Sequence, residues 1–281
     1  MGPDRCGSRS PPGDHGRRGG GDTASRALVP AERRSIARAV SVLAAALLFA
    51  FGRGTAAQEA ARWEWDLAAF LWGTDLRGTI RTGPEAAPLT ADFSDRLNHL
   101  EVGLLSDVEA RRGRWGILFA PFYTDFDRAV GPRSGPFVQV DSTQIVVDLA
   151  GAYRVSETRG TSLDAIVGAR YNQLNTVLKS QGSPSYQAVR MWVDPFVGGR
   201  VVIRLGDRWS WRLRGDLGGF DVGSTRAWSA NTQLRFQMTR ITALALGFGI
   251  FSTDYRAGQD PRWIHYDVRV CGEFVGAAFR L

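Results

Sequence analysis

The chain has 281 residues, of which 11% are aromatic and 22% are charged, and it contains 33 glycines. This composition excludes an intrinsically disordered protein, because disordered chains are poor in aromatic residues and carry a high net charge. The formal net charge of +7 does not indicate nucleic-acid binding, because nine arginines and only four acids fall within residues 1–57, which leaves 26 basic and 24 acidic residues elsewhere.

The first 57 residues predict a leader and a signal peptide. Residues 1–32 are rich in Gly, Pro and Arg without periodicity. We interpret them as a disordered leader or as the result of a start codon assigned too far upstream. Residues 33–57 combine an arginine pair, an apolar run over residues 39–51 and small residues before a cleavage site that we place after Ala57. The run is shorter than the roughly 20 residues of a transmembrane helix. We favour a general secretion signal over a twin-arginine signal, of which only the arginine pair is present.

The mature domain, residues 58–281, predicts a series of β-strands with alternating apolar and polar side chains. Such alternation is typical of a strand whose two faces meet unlike surroundings. The clearest example is residues 209–218, in which every odd residue is apolar or glycine. Ten segments alternate in this way: residues 63–79, 97–110, 115–126, 139–155, 162–176, 190–205, 209–221, 227–238, 241–253 and 264–281. Several of them match the 9–11 residues that a tilted strand needs to cross a bilayer.

The connections between the segments fall into two length classes. Short turns follow segments two, four, six and eight. The connections after the odd-numbered segments are longer, except for the short link after segment seven. The longer connections are residues 81–96, 127–138, 177–189 and 254–263. Short periplasmic turns and longer outer loops are typical of outer-membrane barrels. We therefore predict an all-β fold, a closed antiparallel transmembrane up-and-down β-barrel of about ten strands within a range of eight to twelve, with both ends in the periplasm.

Side-chain parity assigns the two faces of the predicted strands. The residues predicted to point outward are apolar: Ile145, Val147, Leu149, Tyr153, Trp209, Trp211, Leu213, Leu217, Leu244, Leu246, Phe248 and Ile250. The residues predicted to point inward are charged: Glu101, Asp107, Asp148, Asp164, Arg170, Asp194, Arg200, Arg204, Arg212, Arg214, Asp216 and Arg235. Buried charges require partners, and both signs are present. We therefore predict a lumen largely filled by ion pairs, with a narrow passive pore for ions or small solutes as the alternative.

Three repeated pairs predict the lower edge of the barrel. Arg62-Trp63, Arg114-Trp115 and Arg208-Trp209 each begin a strand that rises from the short-turn side, and each Trp shares the parity of the outward residues. Tryptophan favours the headgroup level of a membrane. We predict a lower aromatic girdle at these positions.

Glycines in the strands suggest local irregularity. Gly272 and Gly276 predict a bulge in the last strand. The runs Gly198-Gly199 and Gly218-Gly219 are not phosphate loops, because no helix follows either of them. They indicate places where a strand bends or packs closely.

A catalytic site is the least favoured prediction. Only His99 and His265 remain after the signal peptide, and they begin segments that neighbour segment one in a closed barrel, near Thr74 and Asp75. Other polar residues near them in the sequence are Ser94, Asp95, Ser252 and Asp254. They make a hydrolase at the outer rim conceivable, but no spacing is diagnostic. We predict a non-enzyme without catalytic, cofactor-binding or metal-binding residues, and without a cofactor.

Four acids of the outer loops offer a second weak alternative. Asp92, Asp125, Asp127 and Asp260 could bind divalent cations together with surface lipopolysaccharide, although solvated loop carboxylates are the simpler interpretation.

Several stretches carry a family resemblance when taken in order. They are residues 93–97, 109–116, 168–171, 192–198, 207–209 and 214–223. Together they resemble a family of largely uncharacterised Gram-negative outer-membrane β-barrel proteins, over nearly the whole mature domain. The sequence departs from that pattern at residues 249–252 and 271–273. The resemblance implies the barrel fold and a location in the cell outer membrane, and it implies no catalytic residues.

The predicted location also indicates partners. We expect contact with outer-membrane lipid and lipopolysaccharide, and insertion by the barrel-assembly machinery, because the chain ends in the alternating residues 275–281. We expect a monomer that binds no nucleic acid. The leading functional prediction is a structural or surface-exposed barrel.

Overall fold

The computed structural model describes residues 62–82, 85–91, 103–130, 138–180, 186–258 and 263–281. The predicted leader, residues 1–32, and signal peptide, residues 33–57, lie outside this part of the chain. The strands are β1 (Glu64–Thr82), β2 (Glu85–Ala91), β3 (Gly103–Arg112), β4 (Trp115–Val130), β5 (Val138–Glu157), β6 (Thr161–Ser180), β7 (Tyr186–Arg204), β8 (Trp209–Gly218), β9 (Arg226–Gln237), β10 (Thr242–Ala257) and β11 (Ile264–Arg280). The described residues contain no helix long and apolar enough to span a membrane.

The strands form one closed antiparallel barrel with ten positions. Sequential neighbours pair from β3 to β11, and β11 pairs with β1 from Asp66↔Arg280 to Thr82↔Ile264. Two strands share the other side of β1, because β3 pairs with residues 64–72 and β2 pairs with residues 76–82. They therefore occupy a single position of the ring. The predicted ten-stranded up-and-down barrel is confirmed.

Both ends of the described barrel domain lie at the edge that carries the short turns, which we call the turn end. The turns between strands span residues 113–114, 158–160, 205–208 and 238–241. Trp65 N–H donates to the carbonyl of Leu281 at 3.0 Å, and Leu281 N–H donates to the carbonyl of Trp65 at 2.9 Å. The opposite edge, which we call the loop end, has longer strands than predicted.

The loop-end hairpins correct the predicted loop lengths. β4 and β5 remain paired up to Val130↔Val138, and β10 and β11 up to Ala257↔Ile264. Residues 127–130, 177–180, 186–189 and 254–257 of the predicted loops are therefore strand. Within the predicted loop 81–96, residues 85–91 form β2. The alternation fades here because a strand that extends beyond a bilayer needs no apolar outer face, although its backbone pairing continues. Residues 97–102 of the predicted second strand lie outside the described residues.

The predicted bulge at Gly272 and Gly276 is wrong. The pairing of β11 with both neighbours runs through these residues without a shift, and the register shift lies in β5 between Arg154 and Ser156. The glycines instead allow close packing of the closing seam. A Cβ on Gly276 would overlap the carbonyl oxygen of Ala69.

The glycine pairs follow the predicted close packing. A Cβ on Gly198 would overlap the backbone of β8 at Gly215, and one on Gly218 would come within 2.7 Å of the Pro195 carbonyl. Gly219 has a φ of +91°, which suits the turn that leaves β8.

The outer surface is apolar and carries the predicted girdle. Trp63, Trp115 and Trp209 are 51%, 37% and 45% exposed. Two of them contact an aromatic residue of the next strand, since the Trp115 and Tyr153 rings are 4.7 Å apart and the Trp209 and Phe236 rings 4.8 Å. Towards the loop end, exposed aliphatic residues continue the band: Leu71, Leu104, Leu149, Met191, Val197, Leu217, Leu244, Leu246 and Val275. Apolar groups therefore face outward along most of the wall.

Candidate functional site: the barrel lumen

The predicted inward charges do line the interior. Asp148, Asp164, Arg170, Asp194, Arg200, Asp216 and Arg235 are buried, and Asp107, Arg212 and Arg214 are partly buried. Arg204 is exposed at the turn end and lines the opening there, and Glu101 lies outside the described residues.

One set of charges crosses the lumen near the turn end. Arg200 of β7 donates to both carboxylate oxygens of Glu109 in β3, at 2.6 and 2.9 Å, and to Asp164 of β6 at 2.6 Å. β3 stands four positions from β7 in a ring of ten. The Arg200 and Glu109 side chains together therefore span most of the barrel's width.

The same acids bind further arginines. Asp164 also accepts hydrogen bonds from Arg154 at 2.9 Å and from Arg111 at 3.0 Å. Asp66 of β1 accepts two from Arg235 of β9, both at 2.9 Å. We call the following eight residues the turn-side network: Asp66, Glu109, Arg111, Arg154, Asp164, Arg200, Arg212 and Arg235. The residues predicted to point inward did not include Asp66, Glu109, Arg111 and Arg154, although all four have the inward parity of their own strands.

A second set of charges lies at the middle of the barrel. Arg170 of β6 donates to the two oxygens of Asp148 at 2.7 and 2.9 Å and to Asp216 at 3.1 Å. Arg214 donates to Asp148 at 3.0 Å. We call these four residues the central network. The guanidinium carbon of Arg170 lies 5.0 Å from the ring centre of Phe196, a cation–π contact that completes its surroundings.

Towards the loop end the lumen is aromatic rather than charged. The rings of Trp72 and Phe122 are 4.9 Å apart, and Trp192 of β7 stacks on Tyr255 of β10 with 4.0 Å between ring centres. Buried Phe70, Phe251, Tyr266 and Phe274 belong to the same apolar cluster. The sequence signal was present, because Trp192 has the inward parity of Asp194 in its own strand.

Buried Asp194 fixes the short link between β8 and β9. One carboxylate oxygen accepts the Ser224 N–H at 2.6 Å, and the other accepts the Trp192 indole N–H at 3.0 Å and an Asn172 amide N–H at 3.1 Å. The link, residues 219–225, places Phe220 and Asp221 at positive φ. Neutral donors therefore satisfy this acid, and it anchors the loop across the gap above the short strand β8.

Two cavities remain between these side chains. The central cavity, of about 110 Å³, lies between the two networks and the aromatic cluster. The turn-side mouth, of about 210 Å³, opens between the turns. Four residues of the turn-side network line both: Asp66, Glu109, Arg200 and Arg212.

The candidate hydrolase residues are only partly brought together. His265 Nε2 lies 3.0 Å from Asp254 Oδ1 at the loop end. Thr74 and Asp75 are not beside this pair, because His265 pairs with Arg81 while Thr74 pairs with Gly272, seven residues further down β11. That offset is about 23 Å along the strand. Buried Ser252 of β10 pairs with Arg269, four residues or about 13 Å from His265 along β11. His99, Ser94 and Asp95 lie outside the described residues.

The loop acids do not form a cluster in the part of the chain that the structure describes. Asp125 accepts a hydrogen bond from Thr143 at 2.9 Å, and Asp92 and Asp260 lie outside the described residues. No group of three or more His, Cys, Asp or Glu side chains among the described residues could hold a metal ion.

The outer and inner faces of the barrel define the class of protein. The barrel is closed by the pairing of β11 with β1, and it carries an apolar outer band with aromatic residues at its lower border and a polar, partly aromatic interior. In water this arrangement would be inside out, whereas lipid requires it. The chain is a transmembrane β-barrel of the outer-membrane class.

The chain is similar to several solved structures at low sequence identity. No family model and no curated protein matches the chain. Among solved structures, the translocator domain of the autotransporter NalP from Neisseria meningitidis is 14% identical, with 91% of this chain and 100% of that chain covered and a TM-score of 0.42. Ail of Yersinia pestis, in complex with the heparin analogue sucrose octasulfate, is 12% identical, with 78% and 99% covered and a TM-score of 0.37. Neisserial surface protein A is 11% identical, with 80% and 99% covered and a TM-score of 0.33.

Proposed function

We propose that this protein is a structural or surface-exposed outer-membrane barrel whose lumen does not conduct. The observation that carries the proposal is the contact of Arg200 with Glu109 across four strand positions, at 2.6 and 2.9 Å. In this proposal the turn end faces the periplasm and the loop end faces the outside. The barrel is then a support that holds its loop end on the cell surface.

The charges favour closure for an energetic reason. Ten strands enclose a narrow lumen that side chains can fill. A passage for hydrated ions would require buried pairs of the turn-side network to separate. Loss of one partner of such a pair costs about 3–5 kcal/mol, because the other charge is left uncompensated. The stacked Trp192 and Tyr255 add a second obstruction towards the loop end.

Planar-bilayer conductance tests the closed lumen. We expect no steady conductance for the unmodified protein, and stepwise openings for the double variant Glu109→Ala with Arg200→Ala. The double change removes a pair of opposite charges and so leaves the net charge unaltered. Its matched control is Asp207→Ala with Arg240→Ala, which removes one acid and one arginine from exposed turns and should stay silent.

Steady conductance of the unmodified protein would contradict closure and support the narrow pore. One observation favours that alternative, since the central cavity and the turn-side mouth share four lining residues and so lie next to each other. Ion selectivity measured in the same recording would then describe the pore.

We also propose that the protein is not an enzyme. The pair of His265 and Asp254 could orient an imidazole, but among the other described candidates Ser252 lies about 13 Å from His265 along the strands, and Thr74 and Asp75 lie about 20 to 23 Å away. Hydrolysis of a lipid or peptide by the folded protein, lost in His265→Ala, would contradict this.

We further propose that the partners are outer-membrane lipid, lipopolysaccharide and, during insertion, the barrel-assembly machinery, and that the protein is monomeric.

A further inference from the structure

Arg212 is the least satisfied charge in the turn-side network. Its ion pair is with Asp66 at 3.8 Å, beyond hydrogen-bond distance, and its Nε is buried without a hydrogen-bond partner. Asp66 already accepts two hydrogen bonds at 2.9 Å from Arg235. The Arg212 guanidinium is therefore withdrawn from water, but no described carboxylate fully compensates it.

The charged residues around Arg212 also carry a net positive charge. The turn-side network holds five arginines and three acids, to which Glu157, paired with Arg154 at 3.2 Å, adds a fourth acid, whereas the central network holds two of each. Within the turn-side network, Nη2 of Arg235 is a second buried donor without a partner. Buried cations without partners are costly, so this region of the lumen favours one additional negative group.

The space beside Arg212 is suited to more than a bare anion. Arg212 lines the turn-side mouth on one side and the central cavity on the other. The lining of the central cavity also includes the aromatic rings of Phe70, Phe122 and Phe274. Its volume of about 110 Å³ approaches the size of an apolar cavity that admits one benzene ring, on the order of 150 Å³.

We propose that the lumen binds one small organic anion, with its carboxylate against Arg212 and Arg235 and its apolar ring in the central cavity. The carboxylate receives charge-assisted hydrogen bonds from the two guanidinium groups. The ring contacts the aromatic wall, in the usual combination of an apolar pocket with a few fixed polar groups. The ligand enters through the turn-side mouth when buried pairs of the turn-side network separate transiently, so the site does not require a lumen open at both ends.

Calorimetric titration of the folded full-length protein in detergent micelles with benzoate tests the site. We expect saturable binding, at least about tenfold weaker in Arg212→Gln, because a hydrogen bond to a charged group is lost. Arg240→Gln, in an exposed turn, is the matched control and should bind as the unmodified protein does. A gel-mobility difference between boiled and unboiled samples verifies that each variant is folded, and Arg212→Lys should recover part of the affinity if Arg212→Gln is unstable.

Two related probes separate the parts of the proposal. Benzyl alcohol carries the ring without the charge, and acetate carries the carboxylate without the ring, so both should bind at least tenfold more weakly than benzoate. Absence of benzoate binding, or equal affinity in Arg212→Gln, overturns the site. Equal affinity for benzyl alcohol overturns the role of the arginines, and equal affinity for acetate overturns the role of the cavity. Conductance is measured separately from benzoate binding, so the closed lumen and the anion site can each be contradicted without the other.

Discussion

Single carboxylates in this lumen serve several arginines at once. Asp164 accepts hydrogen bonds from Arg111, Arg154 and Arg200, which come from three different strands. Each guanidinium presents several donors in a plane, so one buried acid can fix three of them in position. The loss of such an acid leaves several buried cations uncompensated rather than one.

Asp164→Ala should therefore destabilise the barrel strongly. We expect a decrease of about 3–5 kcal/mol in the free energy of unfolding, because buried arginines lose their shared partner. Urea unfolding in lipid vesicles, followed by tryptophan fluorescence, measures the change. The comparison variant is Asp125→Ala, whose exposed carboxylate accepts one hydrogen bond from Thr143, and which should stay within about 0.5 kcal/mol. Equal effects of the two changes would contradict a central role for Asp164.

Sequence parity could predict that these charges are inside, but not which of them meet. Alternation assigns a face from neighbouring residues alone, so Asp164 and Arg200 were placed inward correctly. The partner of Arg200, Glu109, is 91 residues away and becomes adjacent only when the ring closes. The distribution of Arg212's contacts, on which the ligand proposal rests, likewise depends on three-dimensional distances that no local pattern contains.

At the level of strands, the sequence predicted the membrane-crossing portions well and the loop-end portions poorly. β3 to β11 start or end within a few residues of their predicted bounds at the turn end, where lipid on one side and charge on the other enforce alternation. β2 and the upper part of β10 were predicted as loop, because strands in water on both faces carry no such pattern. The bulge predicted at Gly272 failed for a different reason, since glycine also occurs where two backbones approach closely.

The seam between β1 and β11 depends on this close approach. Gly276→Ala should weaken it, because the added methyl group would overlap the carbonyl oxygen of Ala69 and force the strands apart. We expect the folded band in an unboiled gel sample to be lost at a lower temperature than for the unmodified protein. Gly215→Ala is the matched control, since its nearest backbone contact would be an ordinary 3.7 Å to Ser229. It should be neutral or slightly stabilising, as expected for removing a strand glycine. A similar shift in both variants would argue against a tight seam.

The molecule as a whole is arranged in successive layers along the barrel axis. From the turn end upward it has an aromatic girdle outside and ion pairs inside, then an aliphatic band around the central network, then an aromatic interior below the loop-end hairpins. The outer band fixes the depth of the barrel in lipid. Leu149 lies four residues beyond Tyr153, whose ring contacts the girdle residue Trp115, and is about 10 Å above it for a strand tilted by roughly 40°. It is therefore near the middle of a band about 25 Å tall.

The depth of the barrel in the membrane can be tested with two leucines of nearly equal exposure. Leu149 is 54% exposed in the band, and Leu205 is 56% exposed in a turn beside the girdle. We expect Leu149→Arg to lower the free energy of unfolding in lipid vesicles by about 2–4 kcal/mol, and Leu205→Arg by about 0–1 kcal/mol, because an arginine near the interface keeps its charge in water. In detergent the difference should shrink, since a micelle adapts to a charge more easily than a bilayer. Equal costs in lipid would place both residues at the same depth and would contradict the orientation of the barrel derived from its girdle.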